Sequence, residues 1–166
     1  IVTIGDGVKR YKKGERVAAS HHVPCNICHY CLRGHHTACE TLRHTTFDPG
    51  GFSEFVRLPA INVDRGVYPI SDNVSFEEAS FTEPLACCVR ALRRSPMPPG
   101  DFALVLGLGS IGLMILQLFK VFQWVGAGAD LLSDRQQMAQ GLGADLVGSP
   151  KDPVFLEELR NHTEGR

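Results

Sequence analysis

The sequence predicts a β-rich part followed by an α/β part, and three observations predict it. Short strand signals broken by glycine-rich and charged turns fill the first part. Further on, a continuous apolar run, Phe102–Leu106, enters Gly107-Leu-Gly109-Ser-Ile-Gly112 and then a long apolar stretch. That is the pattern of a buried parallel strand, a tight turn and a covering helix. Between the early strand signals sit Cys25, Cys28, Cys31 and Cys39, spaced to close on one metal ion.

The elements follow in order. Strands are expected at 2–4, 16–19, 52–58 and 61–63, separated by Gly-Asp-Gly, Lys-Lys-Gly-Glu and Asp-Pro-Gly-Gly turns. In 52–58 apolar and polar residues nearly alternate, as a half-buried strand requires. Ser75 followed by Glu78 is a capping box for a short helix, and a second helix is expected at 85–93. Pro96, Pro98, Pro99 and Gly100 break the pattern, which puts a domain boundary within 94–101. The expected domains are 1–97, carrying a metal lobe at about 21–44, and 98–166. Beyond the boundary, Phe102–Leu106 is expected to be buried on both faces, with a helix over 113–122.

Composition narrows the function. The chain has 166 residues, 43% of them hydrophobic, which suits one domain or two small ones. No run reaches the roughly 18 apolar residues that a membrane span needs. Lys and Arg number 17 against 18 Asp and Glu, so nothing favours nucleic acid or an acidic lipid surface as partner. Reduced, metal-binding cysteines fit a cytoplasmic setting. The chain begins at Ile1 and opens as the inside of a strand, so it is expected to be a fragment.

Thiolates two residues apart sit on a tight knuckle whose sulfurs converge, and a fourth arriving after a short loop completes a tetrahedron with no open position. This reads as a structural zinc site. A ferredoxin-type motif brings its fourth cysteine after three residues and follows it with Pro, whereas seven residues intervene here and Glu40 follows. Disulfides are unneeded in a chain with an ample core. A nucleic-acid-binding ribbon normally comes as two pairs of cysteines on a basic surface.

The glycine-rich turn follows a strand and opens a helix, the context in which Gly-x-Gly-x-x-Gly holds a dinucleotide. Gly107 permits the sharp turn, Gly109 lets the backbone approach a pyrophosphate, and Gly112 allows helix and strand to pack closely. The helix start, through Ser110 and Ile111, offers N–H groups to the phosphates. Asp130, near the end of the next strand, is placed to accept hydrogen bonds from adenosine ribose hydroxyls, favouring NAD over NADP; the alternative is a solvated loop aspartate. Two glycines within Val125-Gly-Ala-Gly-Ala predict a weak strand there.

Other residues carry less. His21, His22, His29, His35, His36 and His44 crowd the lobe and are expected to be solvated, with His21 or His22 as candidates to face a cleft. Cys87 and Cys88 are neighbours on a helix, point in different directions, and are expected to be packed rather than ligating. Met114 and Phe119 are expected in the core. Glu83 taken alone is a helix N-terminal carboxylate.

The chain resembles, over essentially its whole length, the zinc-containing medium-chain alcohol dehydrogenases, particularly the polyol (sorbitol) and threonine dehydrogenase branch. The matching stretches occur in order: Gly14-Glu-Arg-Val17; Pro24-Cys25 with Cys28, Cys31 and Cys39; Gly51-Phe-Ser-Glu-Phe-Val; Glu83-Pro84-Leu-Ala; and the turn up to Gly112. The resemblance implies the latter part of a GroES-like catalytic domain followed by the first half of a Rossmann doubly wound sheet. It implies NAD-linked oxidation of a secondary alcohol, a polyol or hydroxy amino acid, at a second zinc whose site includes Glu83. It also implies that the family's cysteine ligand and Gly-His-Glu motif precede the segment at 2–4, and that 163–166 stands just before a fourth strand. The catalytic activity is therefore expected of a full-length, homo-oligomeric parent and not of this piece. Two alternatives stand beside this reading: a non-catalytic zinc- or nucleotide-binding remnant, and a metal-free quinone-reductase-type enzyme, against which the four cysteines and Glu83 speak.

Overall fold

The computed structural model describes residues 1–165; the end of the 163–166 segment, Arg166, lies outside the described residues. Two compact units divide between Thr82 and Glu83. Leu92 and Met97 pack into the core of the second unit.

In the first unit, strand β1 (Val17–Ala19) is followed by single 3-10 turns at Cys31–Arg33 and His36–Ala38, helix α1 (Glu40–His44) and helix α2 (Ala60–Arg65). Strand β2 (Val67–Pro69) then pairs antiparallel with β1, Val17 opposite Pro69. Helix α3 (Phe76–Ala79) carries the expected capping box: Ser75 Oγ accepts the Glu78 N–H at 3.0 Å and Glu78 Oε2 accepts the Ser75 N–H at 2.7 Å.

Three expected strands are corrected. Residues 2–4 form no strand; the segment closes a loop in which the Gly14 N–H donates to the Ile1 carbonyl, and Val2 and Ile4 lie exposed. Residues 52–58 contribute a single bridge, Asp48 with Arg57, reinforced by their 2.8 Å ion pair. Without a neighbouring strand the alternation of 52–58 buries nothing, and Phe52 and Phe55 stand in solvent. Residues 61–63 are helical within α2, because the most buried side chain there is the polar Asn62, which donates to the Ser20 and His21 carbonyls at 3.0 Å each.

The second unit contains helix α4 (Thr82–Arg93) from Glu83 onward, strand β3 (Phe102–Leu106), helix α5 (Ser110–Phe122), strand β4 (Val125–Ala129), helix α6 (Ser133–Gly141), strand β5 (Leu146–Gly148) and helix α7 (Pro153–His162). The sheet is parallel in the order β3-β4-β5, with Phe102 opposite Val125 and Ala127 opposite Leu146. Its core gathers Leu92, Val105, Leu108, Leu116, Phe119, Trp124 and Ala139.

β3 departs from expectation. Val105 is buried, but Leu106 is 73% exposed and Leu104 is also open, because β3 is an edge strand among the described residues and it is Ala103 and Val105 that turn toward the core. β4 departs in the opposite sense. It is well formed and almost wholly buried, since its two glycines make room for α5 and the turn: a β-carbon on Gly126 would lie 2.7 Å from Phe119 Cδ2. Asp145 then ties the layer together, its Oδ2 accepting the Gly126 N–H at 2.7 Å and its Oδ1 meeting Lys120 Nζ at 2.6 Å. α5 ends where Gln123 adopts a left-handed conformation (φ 58°). Among the described residues no helix is long and apolar enough to cross a membrane.

Candidate metal centre and coenzyme turn

The four cysteines predicted to close on one ion do converge. Asn26 takes a left-handed φ of 61°, which folds the Cys25-Asn-Ile-Cys28 knuckle back on itself. Gly34, at φ 77°, ends the 3-10 turn that carries Cys31 and sends the chain on toward Cys39. The ligand atoms all lie within 4.8 Å of one another, with Cys25 Sγ 3.7 Å from Cys39 Sγ and 3.9 Å from Cys31 Sγ. A tetrahedral zinc with Zn–S bonds of about 2.3 Å requires sulfurs about 3.8 Å apart. Two of the sulfur pairs already have that spacing and the others lie within 4.8 Å, so the donor set fits that ion.

Backbone groups favour ionisation of Cys25 and Cys39. The Cys25 N–H donates to Cys39 Sγ at 3.4 Å, and the Cys28 N–H donates to Cys25 Sγ at 3.3 Å. The Cys25 N–H holds the Cys39 thiol down at about 6, and the Ile27 N–H lowers Cys25. Burial pushes Cys31 up to about 12, so a bound cation is what would complete its ionisation. The lobe is fastened at its root, where Thr45 Oγ1 accepts the Val23 N–H at 3.0 Å and Arg65 Nη1 donates to the Pro24 carbonyl at 2.9 Å.

None of the six lobe histidines joins the cluster, and among the described residues no other group of three metal-ready side chains converges. His22, His29 and His44 are occupied locally, by the Thr45 carbonyl, Arg33 and the Glu40 carbonyl. Glu83 stands exposed in the first turn of α4, where its Oε1 accepts the Cys87 S–H at 3.2 Å. Cys88 is buried as expected, but Cys87 is exposed rather than packed.

The glycine-rich turn has the three glycine environments its pattern predicts. Gly107 has φ 93°; Gly109 faces open space and caps α5; a β-carbon on Gly112 would collide with the Gly107 carbonyl. Ser110 and Ile111 begin α5, so their N–H groups have no partner within the helix. Asp130 is no solvated loop residue. It is 8% exposed, its Oδ2 accepts the Leu108 N–H at 2.8 Å, and its Oδ1 accepts the Leu132 N–H at 2.9 Å. The Leu132 N–H, then the Leu108 N–H, hold its carboxyl below the usual value. Sequence reasoning missed Leu108, Arg135 and Gln136 as members of this site. Leu108 offers only an apolar side chain, and its role is carried by its main-chain N–H.

The family described as alcohol dehydrogenase GroES-like domain matches residues 1–71. A sorbitol dehydrogenase from Bacillus subtilis is 29% identical over 172 residues, covering 100% of this chain and 47% of the relative. An alcohol dehydrogenase from Geobacillus stearothermophilus is 34% identical over 171 residues, covering 99% and 49%. A solved zinc-binding dehydrogenase from Sinorhizobium meliloti, bound to NADP, is similar with a TM-score of 0.79 at 25% identity, covering 93% of this chain and 45% of that one. The chain spans about half the length of the curated relatives it matches.

Proposed function

The chain belongs to the zinc-containing medium-chain alcohol dehydrogenases, and from that premise we propose that it supplies the structural-metal lobe and the coenzyme turn of an NAD-linked dehydrogenase acting on a secondary alcohol, a polyol or a hydroxy amino acid. The observation that carries this reading is the anionic Asp130 fixed at the end of β4 beside the open backbone of Gly109. A carboxylate there accepts ribose hydroxyls and repels a 2′-phosphate, while the first N–H groups of α5 face the pyrophosphate.

Cys25, Cys28, Cys31 and Cys39 would hold the structural zinc and stabilise the lobe. A second zinc would supply Lewis-acid polarisation of the substrate alcohol. Toward that site this chain offers Glu83, whose exposed carboxylate can ligate directly or through water. The activity is proposed for a protein of the relatives' length, cytoplasmic and homo-oligomeric.

One observation favours a second reading, a non-catalytic metal- and nucleotide-binding module: among the described residues Glu83 meets Cys87 but belongs to no converging group of three metal-ready side chains. Zinc analysis with parallel NADH and NADPH titrations tests both. The dehydrogenase reading expects about one zinc per chain, held by the four thiolates, and tighter binding of NADH than of NADPH. Equal or reversed coenzyme preference would overturn the NAD assignment, and zinc-free reduced protein would overturn the lobe.

A further inference from the structure

Asp130 joins more of the coenzyme end of the sheet than ribose recognition requires. Its Oδ2 takes the Leu108 N–H from the middle of the glycine-rich turn, and its Oδ1 takes the Leu132 N–H from the loop that follows β4. Its own carbonyl accepts from Gln136 Nε2 at 2.7 Å, and its N–H donates to the Gly148 carbonyl at 3.3 Å. Arg135 Nη1 approaches Oδ2 at 3.4 Å from the first turn of α6. The segments thus tied together are the β3–α5 turn, the start of α6 and the end of β5.

A carboxylate has about four acceptor sites. Oδ2 is used by Leu108 and approached by Arg135, and Oδ1 is used once by Leu132, so Oδ1 keeps the free site for a ligand hydroxyl. The Leu108 N–H is committed to the protein and not to phosphate, while Gly109 and the first residues of α5 remain open toward one.

We infer that Asp130 is a positioning residue for the pyrophosphate turn: by holding the Leu108 N–H it fixes the path of Gly107–Gly109, so that phosphate binding and ribose recognition depend on one side chain. The inference rests on reading this turn as the coenzyme site, but its first test does not. The Leu108 N–H is buried beneath a fully buried side chain, and removing its acceptor leaves a donor that the turn can satisfy only by moving.

The test is amide hydrogen exchange on the ligand-free protein, wild type against Asp130→Ala and Asp130→Asn. Asp130→Ala is expected to speed exchange at Leu108 and Leu132 by about tenfold or more, leaving Ala127 in the middle of β4 unchanged. Asp130→Asn, which keeps one acceptor oxygen, is expected to preserve one of the two protections. Unchanged exchange at Leu108 in Asp130→Ala would overturn the proposal. Should that variant not fold, the through-hydrogen-bond coupling between the Leu108 amide nitrogen and the Asp130 carboxylate carbon in the wild type decides: its presence supports the brace and its absence refutes it.

Inorganic pyrophosphate, which has no ribose, supplies the functional arm. Removing a nearby negative charge would by itself tighten an anion, whereas loss of the brace weakens it. Weaker binding of pyrophosphate to Asp130→Ala is expected, and tighter binding would overturn the proposal. If the wild type binds neither NADH nor pyrophosphate while the exchange result holds, the coenzyme reading fails and the brace stands.

Discussion

Gly128 lies directly against Leu116: a β-carbon at position 128 would stand 2.8 Å from Leu116 Cδ1 and 2.8 Å from Leu108 Cδ2. The strand β4 is therefore packed by its neighbours' side chains and not by its own. Gly128→Ala is expected to destabilise the protein by about 1–3 kcal/mol through overpacking, although alanine has the better strand propensity. Chemical denaturation followed by circular dichroism measures it, and an unchanged midpoint would show that Leu116 yields.

Metal removal should act on the lobe. The cysteine cluster has little apolar core of its own, and Ile27 and Leu32 point into solvent. Chelation under reducing conditions is expected to release about one zinc and to lose protection across 25–39 while the β3-β4-β5 sheet keeps its own. Cys39→Ser, which removes the sulfur of a residue 1% exposed, should abolish stoichiometric zinc; retention of a full equivalent would refute the four-sulfur site.

Asp130 gives a pH signature. Its folded pKa is depressed, by the Leu132 and then the Leu108 N–H, below its usual 3.8. Its contribution to stability is complete above the unfolded value and is lost as pH falls below 3.8 toward the folded value. Asp130→Asn should be less stable than wild type at neutral pH, with the difference shrinking as pH drops through that window. Parallel stability curves down to pH about 2 would count against the two hydrogen bonds.

Cys87 is a test of where Glu83 points. The hydrogen bond to Glu83, with burial second, raises the Cys87 thiol above its usual 9.0. Glu83→Gln removes the charge and should speed alkylation of Cys87 at pH about 8 on the order of a few-fold. Buried Cys88 should stay unreactive in both proteins, and mass spectrometry after iodoacetamide distinguishes them. Identical rates would mean that the two side chains do not meet in solution.

The second unit was more legible in the sequence than the first. Phe102–Leu106 formed with the predicted ends, because a continuous apolar run ending at glycine has few alternatives. The capping box and the four-cysteine convergence were also legible, since both are set by residues close in sequence, from 75 to 78 and from 25 to 39. The segments at 2–4, 52–58 and 61–63 misled because strand propensity needs a partner to act on; Asn62, in α2, instead serves carbonyls at Ser20 and His21. For Asp130 the sequence pattern pointed to a ribose contact, while its bond to the Leu108 main chain leaves no trace in residue type.

The vacancies at Gly126 and Gly128 transfer volume from one layer of the fold to the next: what the strand lacks, Phe119, Leu116 and Leu108 provide. Fitness at these sites then belongs to pairs and not to single positions. A change of Gly128 to Ala that is harmful alone is expected to become tolerable when both Leu108 and Leu116 give up volume, so the accessible evolutionary route through this sheet runs by the packing partners first and the strand second. A library randomised at 108, 116 and 128 together is expected to recover folded combinations that any single scan discards.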